Sequence, residues 1–458
     1  MKKSRLSNQA KSPKLNVEVW LTRPDKSALF NKQSGYLPVD VATRNSTTIT
    51  VNPSKGYQTM DGFGFALTGG SADLISKLPQ GKRDDLLQEL FSTAGSGIGV
   101  TYLRIGIGAS DLSRVSYSYN DLLPGETDLD LERFNLAAGD IQIVPLLKAI
   151  LEVNPDIRII ATPWSAPPWM KTNESHIAGK LKPEYYEIYA KYLVTFIKKM
   201  LSHGIVINAI TPQNEPLNTK NNPSMAMSAL EQADFIRSHL GPALRDAGLE
   251  NVELFCYDHN CDRIDYPLTI LADPEARKFV KGVAWHLYAG EIEAMAEVAK
   301  KHTAIKTYFT EYWVDARTEF AEGLRWHVEN ILIGASRNGA QAILEWNLAG
   351  DPNHGPHTEE GCDLCLGALT IGPSTMVRNL SYYVIAHLSR FVRPGSVRIE
   401  STAIDSLPNV AFKSPDGQAV LLVHNSSSDM QLVNIRSNGR TASHILEGGT
   451  VATYVWSL

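Results

Sequence analysis

A chain of 458 residues is longer than one ordinary small domain and reads as a large domain with a smaller companion. Its 43% hydrophobic and 20% charged content is that of a folded globular protein, and a formal net charge of -5 leaves no basic footprint for nucleic acid or an anionic membrane surface. No run of 18 apolar residues is present to span a bilayer.

The opening stretch, MKKSRLSNQAKSPKLN, has basic residues with no apolar segment behind them, so it is not an intact secretory signal. Residues 1–15 read as a linker or disordered lead-in. Two compartments stay open: secreted or periplasmic, with the signal absent from this chain, or cytoplasmic. Residues 16–52 then turn strand-like in NVEVWLT and TTITV.

From residue 62 a different pattern begins. Short apolar runs recur at 62–68, 101–107, 157–163, 206–211, 252–257, 282–286, 306–311 and 341–346. Each has the length of a strand buried on both faces, without polar alternation, as parallel strands have. Helical patterns lie between several of them. Residues 185–201 put Tyr185, Tyr189, Tyr192, Phe196 and Met200 on one apolar face, ending at the C-cap glycine Gly204. Core packing is the expected role of those tyrosines. Residues 231–244 and 322–339 read as helices of the same kind. Eight buried strands with intervening helices predict a (β/α)8 barrel over residues 53–384. Beyond residue 396 the strands alternate and are separated by PDG, NSSS and SNGRT turns. Residues 16–52 and 385–458 are therefore expected to form one discontinuous β-sandwich. There are no internal repeats and no low-complexity tract.

The cysteines fall in two close pairs, Cys256 with Cys261 and Cys362 with Cys365. The loose first spacing disfavours zinc, which leaves a local disulfide in GCDLC or reduced thiols.

In such a barrel the chemistry sits at the C-terminal ends of the strands. Strand two ends near Asp111, and strand three runs into TPWSAPPW, placing Trp164 and Trp169 at the mouth. Strand four ends at Asn214 and Glu215 in TPQNEP, and strand six at His286 and Tyr288. Strand seven ends at Glu311, followed by Tyr312 and Trp313, and strand eight at Trp346 and Asn347. Any one of these has a plain structural reading: a solvated loop acid, a turn cap for Asp111, a core histidine for His286 or a core tryptophan. Together they are acids, amides and aromatics on one rim. Sugars stack on aromatic faces, and glycoside hydrolysis needs one carboxyl to protonate the leaving oxygen and a second to attack or to activate water. No nucleophile triad spacing competes, and GFGFALTGG lacks the Lys-Ser/Thr ending of a phosphate loop.

These residues resemble glycoside hydrolase family 30, the acid β-glucosidase (glucosylceramidase) family. The likeness runs from DGFGFALTGGSA through YLRIGIGASDLS, ATPWSAPPWMKTN, TPQNEP, FTEYW, EWNLAGDPNHGP and HLSRFVRPGSVRI to the final ATYVWSL. The resemblance implies a barrel joined to a β-sandwich, Glu215 as general acid/base and Glu311 as nucleophile. It further implies that Asn214 bonds the sugar 2-hydroxyl, and that Asp111, Trp164 and Trp346 line the glucose subsite. His286 and Tyr288 match neighbours that orient the nucleophile. Two features depart from the lysosomal members: Tyr312 and Trp313 follow the nucleophile, and HTEEGCDLCLGALTI is closer to microbial members such as endo-β-1,6-glucanases. Trp313 is then expected on a plus-side sugar platform. The expected activity is retaining hydrolysis of β-1,6-glucan or gluco-oligosaccharides, with glucosylceramide or simple β-glucosides as the alternative substrates. A non-catalytic carbohydrate-binding protein on the same fold is the alternative of another class. The chemistry calls for no cofactor and no metal, and the only partner expected is the glycan. The resting proton of Glu215 leads to the expectation that its pKa is raised, largely by the charge of Glu311 and by partial burial.

Overall fold

The computed structural model describes residues 14–33 and 47–458; residues 1–13 of the expected lead-in and 34–46 of the N-terminal segment lie outside the described residues. Each of the eight apolar runs forms a strand, and the strands close into one parallel barrel. In chain order they are Gly62–Ala66, Tyr102–Gly106, Arg158–Thr162, Ala209–Ile210, Glu253–Asn260, Val280–His286, Lys306–Glu311 and Ala340–Asn347. They are numbered one to eight below. Strand eight pairs with both strand seven and strand one, which closes the ring.

Inward-facing positions follow the period of two that a strand imposes. Tyr102, Ile160, Ala209, Phe255, Ala284, Tyr308, Ala342 and Leu344 fill the lower interior as one apolar cluster. Large and small side chains interlock there, and Phe255 stacks on Tyr308 with ring centroids 4.0 Å apart. Two residues further along, the inward positions become Arg104, Thr162, Thr211 and Thr310, all buried. The barrel is therefore apolar below and polar at its C-terminal mouth. Strand five breaks the alternation. Tyr257 and Asp258 take positive φ values of 75° and 62°, and the register against strand six shifts between Tyr257 and His259. That irregularity turns Asp258 inward.

The predicted helix over 185–201 forms at Tyr186–Ser202, and Gly204 follows with φ 81°. The predicted helix over 231–244 is not uniformly α. Ala229–Phe235 passes into a π-helical turn, Ile236–Leu240, before Gly241–Asp246. Pro242 lacks an N–H and its ring would clash with a carbonyl one α-turn back; the wider turn, in which Gly241 N donates to Ile236 O, relieves this. The third helix likewise passes from Phe320–Trp326 into a π-helical stretch, His327–Ala335.

Both chain ends build the β-sandwich. Glu18–Thr22 pairs antiparallel with the final strand, Val451–Ser457. The long strand Thr47–Thr59 pairs with Val397–Ser401 along its later residues and with Gln431–Ser437 along its first. Their inner faces share a separate core that includes Val19, Leu21, Ile49, Val51, Leu421, Tyr454 and Trp456. Helix Leu380–Ser389 lies between the two units. Its His387 bonds Thr22 and Thr453 of the sandwich, each at 2.8 Å. No helix among the described residues is long and apolar enough to cross a membrane.

Phe255→Ala removes a fully buried ring from the barrel interior, and a truncation of this kind costs about 3–5 kcal/mol. Denaturant unfolding of the variant against wild type is expected to show a loss in that range.

Candidate active site

Glu215 lies five residues beyond the last strand-four residue, in the turn that follows it. Its φ of 41° is in the left-handed region, which a residue with a Cβ rarely adopts. Three contacts hold it there. Asn214 N donates to Pro163 O at 2.8 Å, Glu215 N donates to Asp258 O at 2.9 Å, and Asn218 N donates to Glu215 O at 2.8 Å. The loop is thus tied to strands three and five on either side. Glu311 needs no such turn, because it is the last residue of strand seven.

Under the two acids lies a buried ionic floor. Arg104 is fully out of solvent. Its guanidinium donates to Glu311 Oε2, to Asn214 Oδ1 at 2.6 Å and to Asp258 Oδ2 at 2.9 Å. Asp258 also accepts from Thr211 at 2.8 Å and Thr310 at 2.7 Å, and faces His286 Nε2 at 3.1 Å. Burial alone would raise its pKa, but the Arg104 charge and these donors hold Asp258 well below the usual carboxylate range. An ionised Asp258 is acceptor only, so His286 carries hydrogen on Nε2 and turns Nδ1 to the acids.

That Nδ1 is 3.0 Å from Glu215 Oε1 and 3.7 Å from Glu311 Oε1. Burial would depress the imidazole; the charge of Glu311 and the bonds to Asp258 and Glu215 outweigh it and raise His286 to about 9. Glu215 moves the other way from the expectation drawn from sequence. Burial favours its neutral form, yet the His259 and His286 imidazoles beside it hold its carboxyl below its ordinary value. Glu311 is the member pushed up, by burial and by the charge of Glu215, against the pull of His286 and Arg104. The expectation failed because it counted the two acids and not the two histidines. His286 Nδ1 and Glu215 Oε1 share one hydrogen bond, so the two groups titrate as a unit.

Asp111, Glu215, Tyr288, Glu311, Trp313 and Trp346 line a cleft of about 450 Å³, with Asn218, Asn221, His259 and Asn260. Burial, then the charges of Glu311 and Glu215, push Asp111 up to about 7. Tyr288 OH donates to Glu311 Oε1 at 2.9 Å. Trp164, Asn214 and His286 stand behind this surface. Trp164 packs on Trp346 at 5.6 Å and over the Arg104 guanidinium at 4.7 Å. With its carbonyl oxygen taken by Arg104, the hydrogen-bonding capacity left to Asn214 is its NH2. His286 bonds Glu215, whereas Tyr288 is the neighbour bonded to Glu311.

Two aromatics expected at the mouth are elsewhere. Trp169 is buried, with Nε1 donating to Asn120 Oδ1 at 2.9 Å, because the tight PPW turn sends it under the loop. Tyr312 is wedged between Tyr288 and Trp326, with ring centroids at 5.1 and 4.4 Å, and so supports the cleft wall from behind. Cys362 and Cys365 are disulfide-bonded and line the cleft, while Cys256 and Cys261 are buried free thiols.

Arg104, Asp258 and His259 were missed from sequence. The signal for Arg104 was present: a single charge in the apolar run TYLRIGI must be paired if that run is buried. Asp258 and His259 sit in CYDHNC, which drew attention for its cysteines instead.

Comparison with known proteins bears on the family and the fold. The profile of the glycosyl hydrolase family 30 TIM-barrel domain matches residues 60–392, and that of the family 30 beta sandwich domain matches residues 395–454. The chain is similar to the endo-1,6-beta-D-glucanase of Neurospora crassa, with 33% identity covering 90% of this chain and 88% of that one. It is 28% identical to the lysosomal acid glucosylceramidase of Mus musculus, covering 90% of this chain and 84% of that one. A solved endo-beta1,6-glucanase superposes with a TM-score of 0.88 at 33% identity, covering 96% of this chain and 100% of the other. With two carboxyls on one rim, a barrel-and-sandwich fold, and both family domains matched from residue 60 to residue 454, this chain belongs to glycoside hydrolase family 30.

Proposed function

We propose that this glycoside hydrolase cleaves β-1,6-linked glucan by retaining double displacement, with Glu311 as nucleophile and Glu215 as acid/base. One observation carries the mechanism: Glu215 Oε1 and Glu311 Oε1 share His286 Nδ1 at 3.0 and 3.7 Å. The two oxygens are therefore no further apart than those distances laid end to end. That bound accommodates a retaining pair, whose carboxyls sit about 5–5.5 Å apart, and disfavours the wide end of the roughly 6.5–9.5 Å range of an inverting pair.

The Glu311 carboxylate attacks the anomeric carbon. The glycosidic C–O bond breaks, and its electron pair stays on the leaving oxygen. The proton for that oxygen comes from the Glu215–His286 unit. With the aglycone gone, Glu215 takes a proton from water, which attacks the anomeric carbon and releases Glu311. Arg104 fixes the Glu311 carboxylate from below and Tyr288 from the side. Asn214 presents its NH2 to the sugar 2-hydroxyl, and Asp111 takes outer hydroxyls. Trp346 walls the glucose subsite, Trp164 stands behind it, and Trp313 offers the plus-side platform.

The β-1,6 linkage rests on the relatives named endo-1,6-beta-D-glucanase, at 31% to 33% identity, against 28% to 30% for those named glucosylceramidase. The cleft disulfide supports a secreted or periplasmic site of action, since such bonds persist in oxidising compartments.

A hydrolysis panel of pustulan, gentiobiose, glucosylceramide and xylan tests the substrate. Pustulan is expected to give gentio-oligosaccharides as early products; faster release of glucose from glucosylceramide overturns the linkage assignment. Glu311→Ala is expected to abolish turnover, and added azide to yield a glycosyl azide of inverted configuration. Glu215→Ala is expected to lower kcat on pustulan by about 10²–10⁴, with a smaller loss of the first step on an aryl glucoside whose leaving group needs no proton. The pH profile follows from the directions above. Activity should rise as Glu311 ionises, above the ordinary carboxylate range, and fall as pH passes the His286 value of about 9 and the unit loses its proton. His286→Gln should move that descending limb to lower pH; an unmoved limb excludes His286 from the proton path.

A further inference from the structure

The proton donor has neighbours that its reaction does not explain. His259 is buried beside Glu215; its Nδ1 is 3.7 Å from Glu215 Oε1, beyond hydrogen-bond distance, and that nitrogen has no hydrogen-bond partner among the described residues. A buried imidazole nitrogen without a partner is costly and points to a ligand. One donor atom from each of Glu215, His259 and His286 lies within 4.8 Å of the others.

We propose that Glu215, His259 and His286 form a site for one borderline divalent cation of the zinc class, and that filling it blocks hydrolysis. Four observations carry this. First, donors around a tetrahedral zinc ion at about 2.0–2.2 Å sit about 3.3 Å from one another. The Glu215–His286 and Glu215–His259 separations of 3.0 and 3.7 Å already bracket that spacing. Only the His259 ring must close toward His286. Second, His286 Nε2 is held by the Asp258 carboxylate at 3.1 Å. A carboxylate behind a ligating histidine orients the ring and strengthens the opposite nitrogen as a ligand. Third, four carboxyls, those of Asp111, Glu215, Asp258 and Glu311, gather here against the Arg104 guanidinium and the His286 ring. Fourth, Glu215 and His259 line the open cleft, which gives a hydrated ion a path in.

Two imidazoles and one carboxylate select zinc or copper over magnesium and calcium, which take oxygen ligands. The ion would occupy the Glu215 oxygen and the His286 nitrogen that together hold the leaving-group proton. Inhibition should therefore be competitive with glucan and reversed by a chelator. This consequence rests on Glu215 being the acid/base; the binding site itself does not.

Isothermal titration calorimetry with zinc chloride on the full chain tests the site without reference to activity. Wild type is expected to take one zinc ion at this site, and both His259→Ala and His259→Gln to bind it at least about 10-fold more weakly. Cys261→Ala, which removes a buried thiol two residues away, is expected to bind as wild type does. Magnesium chloride is expected to give no heat of binding. Absence of zinc binding by wild type, or unchanged affinity in folded His259 variants, overturns the proposal and leaves the hydrolase reading intact. Zinc bound at this site without loss of pustulan hydrolysis overturns the acid/base assignment instead.

Discussion

The guanidinium of Arg104 lies wholly out of solvent at the mouth of the barrel, and the active-site geometry depends on it. A buried cation there is tolerable only because Asp258 and Glu311 neutralise it and the Asn214 amide oxygen takes a further hydrogen. Breaking such a buried pair from one side leaves an uncompensated charge, at about 3–5 kcal/mol. The same contacts fix the ends of strands two, four, five and seven relative to one another. Charge balance and positional accuracy are thus one constraint here.

From that floor the two acids acquire unlike surroundings. Glu311 stands on Arg104 and beside Tyr288, which together orient its carboxyl. Glu215 stands against His286, whose far nitrogen is committed to Asp258. Two chemically identical side chains differ in what each one touches: a guanidinium and a phenol on one side, an imidazole on the other. The left-handed backbone at Glu215 belongs to the same design. The turn is strained, and it is held because prolines flank it and neighbouring strands bond its amides.

Much of the fold was legible in the chain. Parallel strands buried on both faces read as short unbroken apolar runs, and all eight formed strands within a few residues of the sequence ranges. Position at strand ends brought Asp111, Glu215, Tyr288, Glu311, Trp313 and Trp346 to one cleft. Trp169 and Tyr312 went elsewhere, since a residue one or two places past a strand end points wherever its turn sends it. Asp258 was hidden for a related reason: the irregular backbone at Tyr257 and Asp258 breaks the alternation from which its inward direction would have been read.

The sequence by itself determined the barrel, the sandwich made from both chain ends, the family, and the placing of Glu215 and Glu311 on one rim. Those follow from periodicity, turn chemistry and ordered motifs, which are local properties of the chain. Only the tertiary structure decided that Arg104 and Asp258 form the floor and that His286 answers to Glu215. These are contacts between residues separated by up to 207 positions in the chain. The direction in which a carboxyl titrates depends on the charges within a few ångströms of it, and those distances exist only after the barrel has closed.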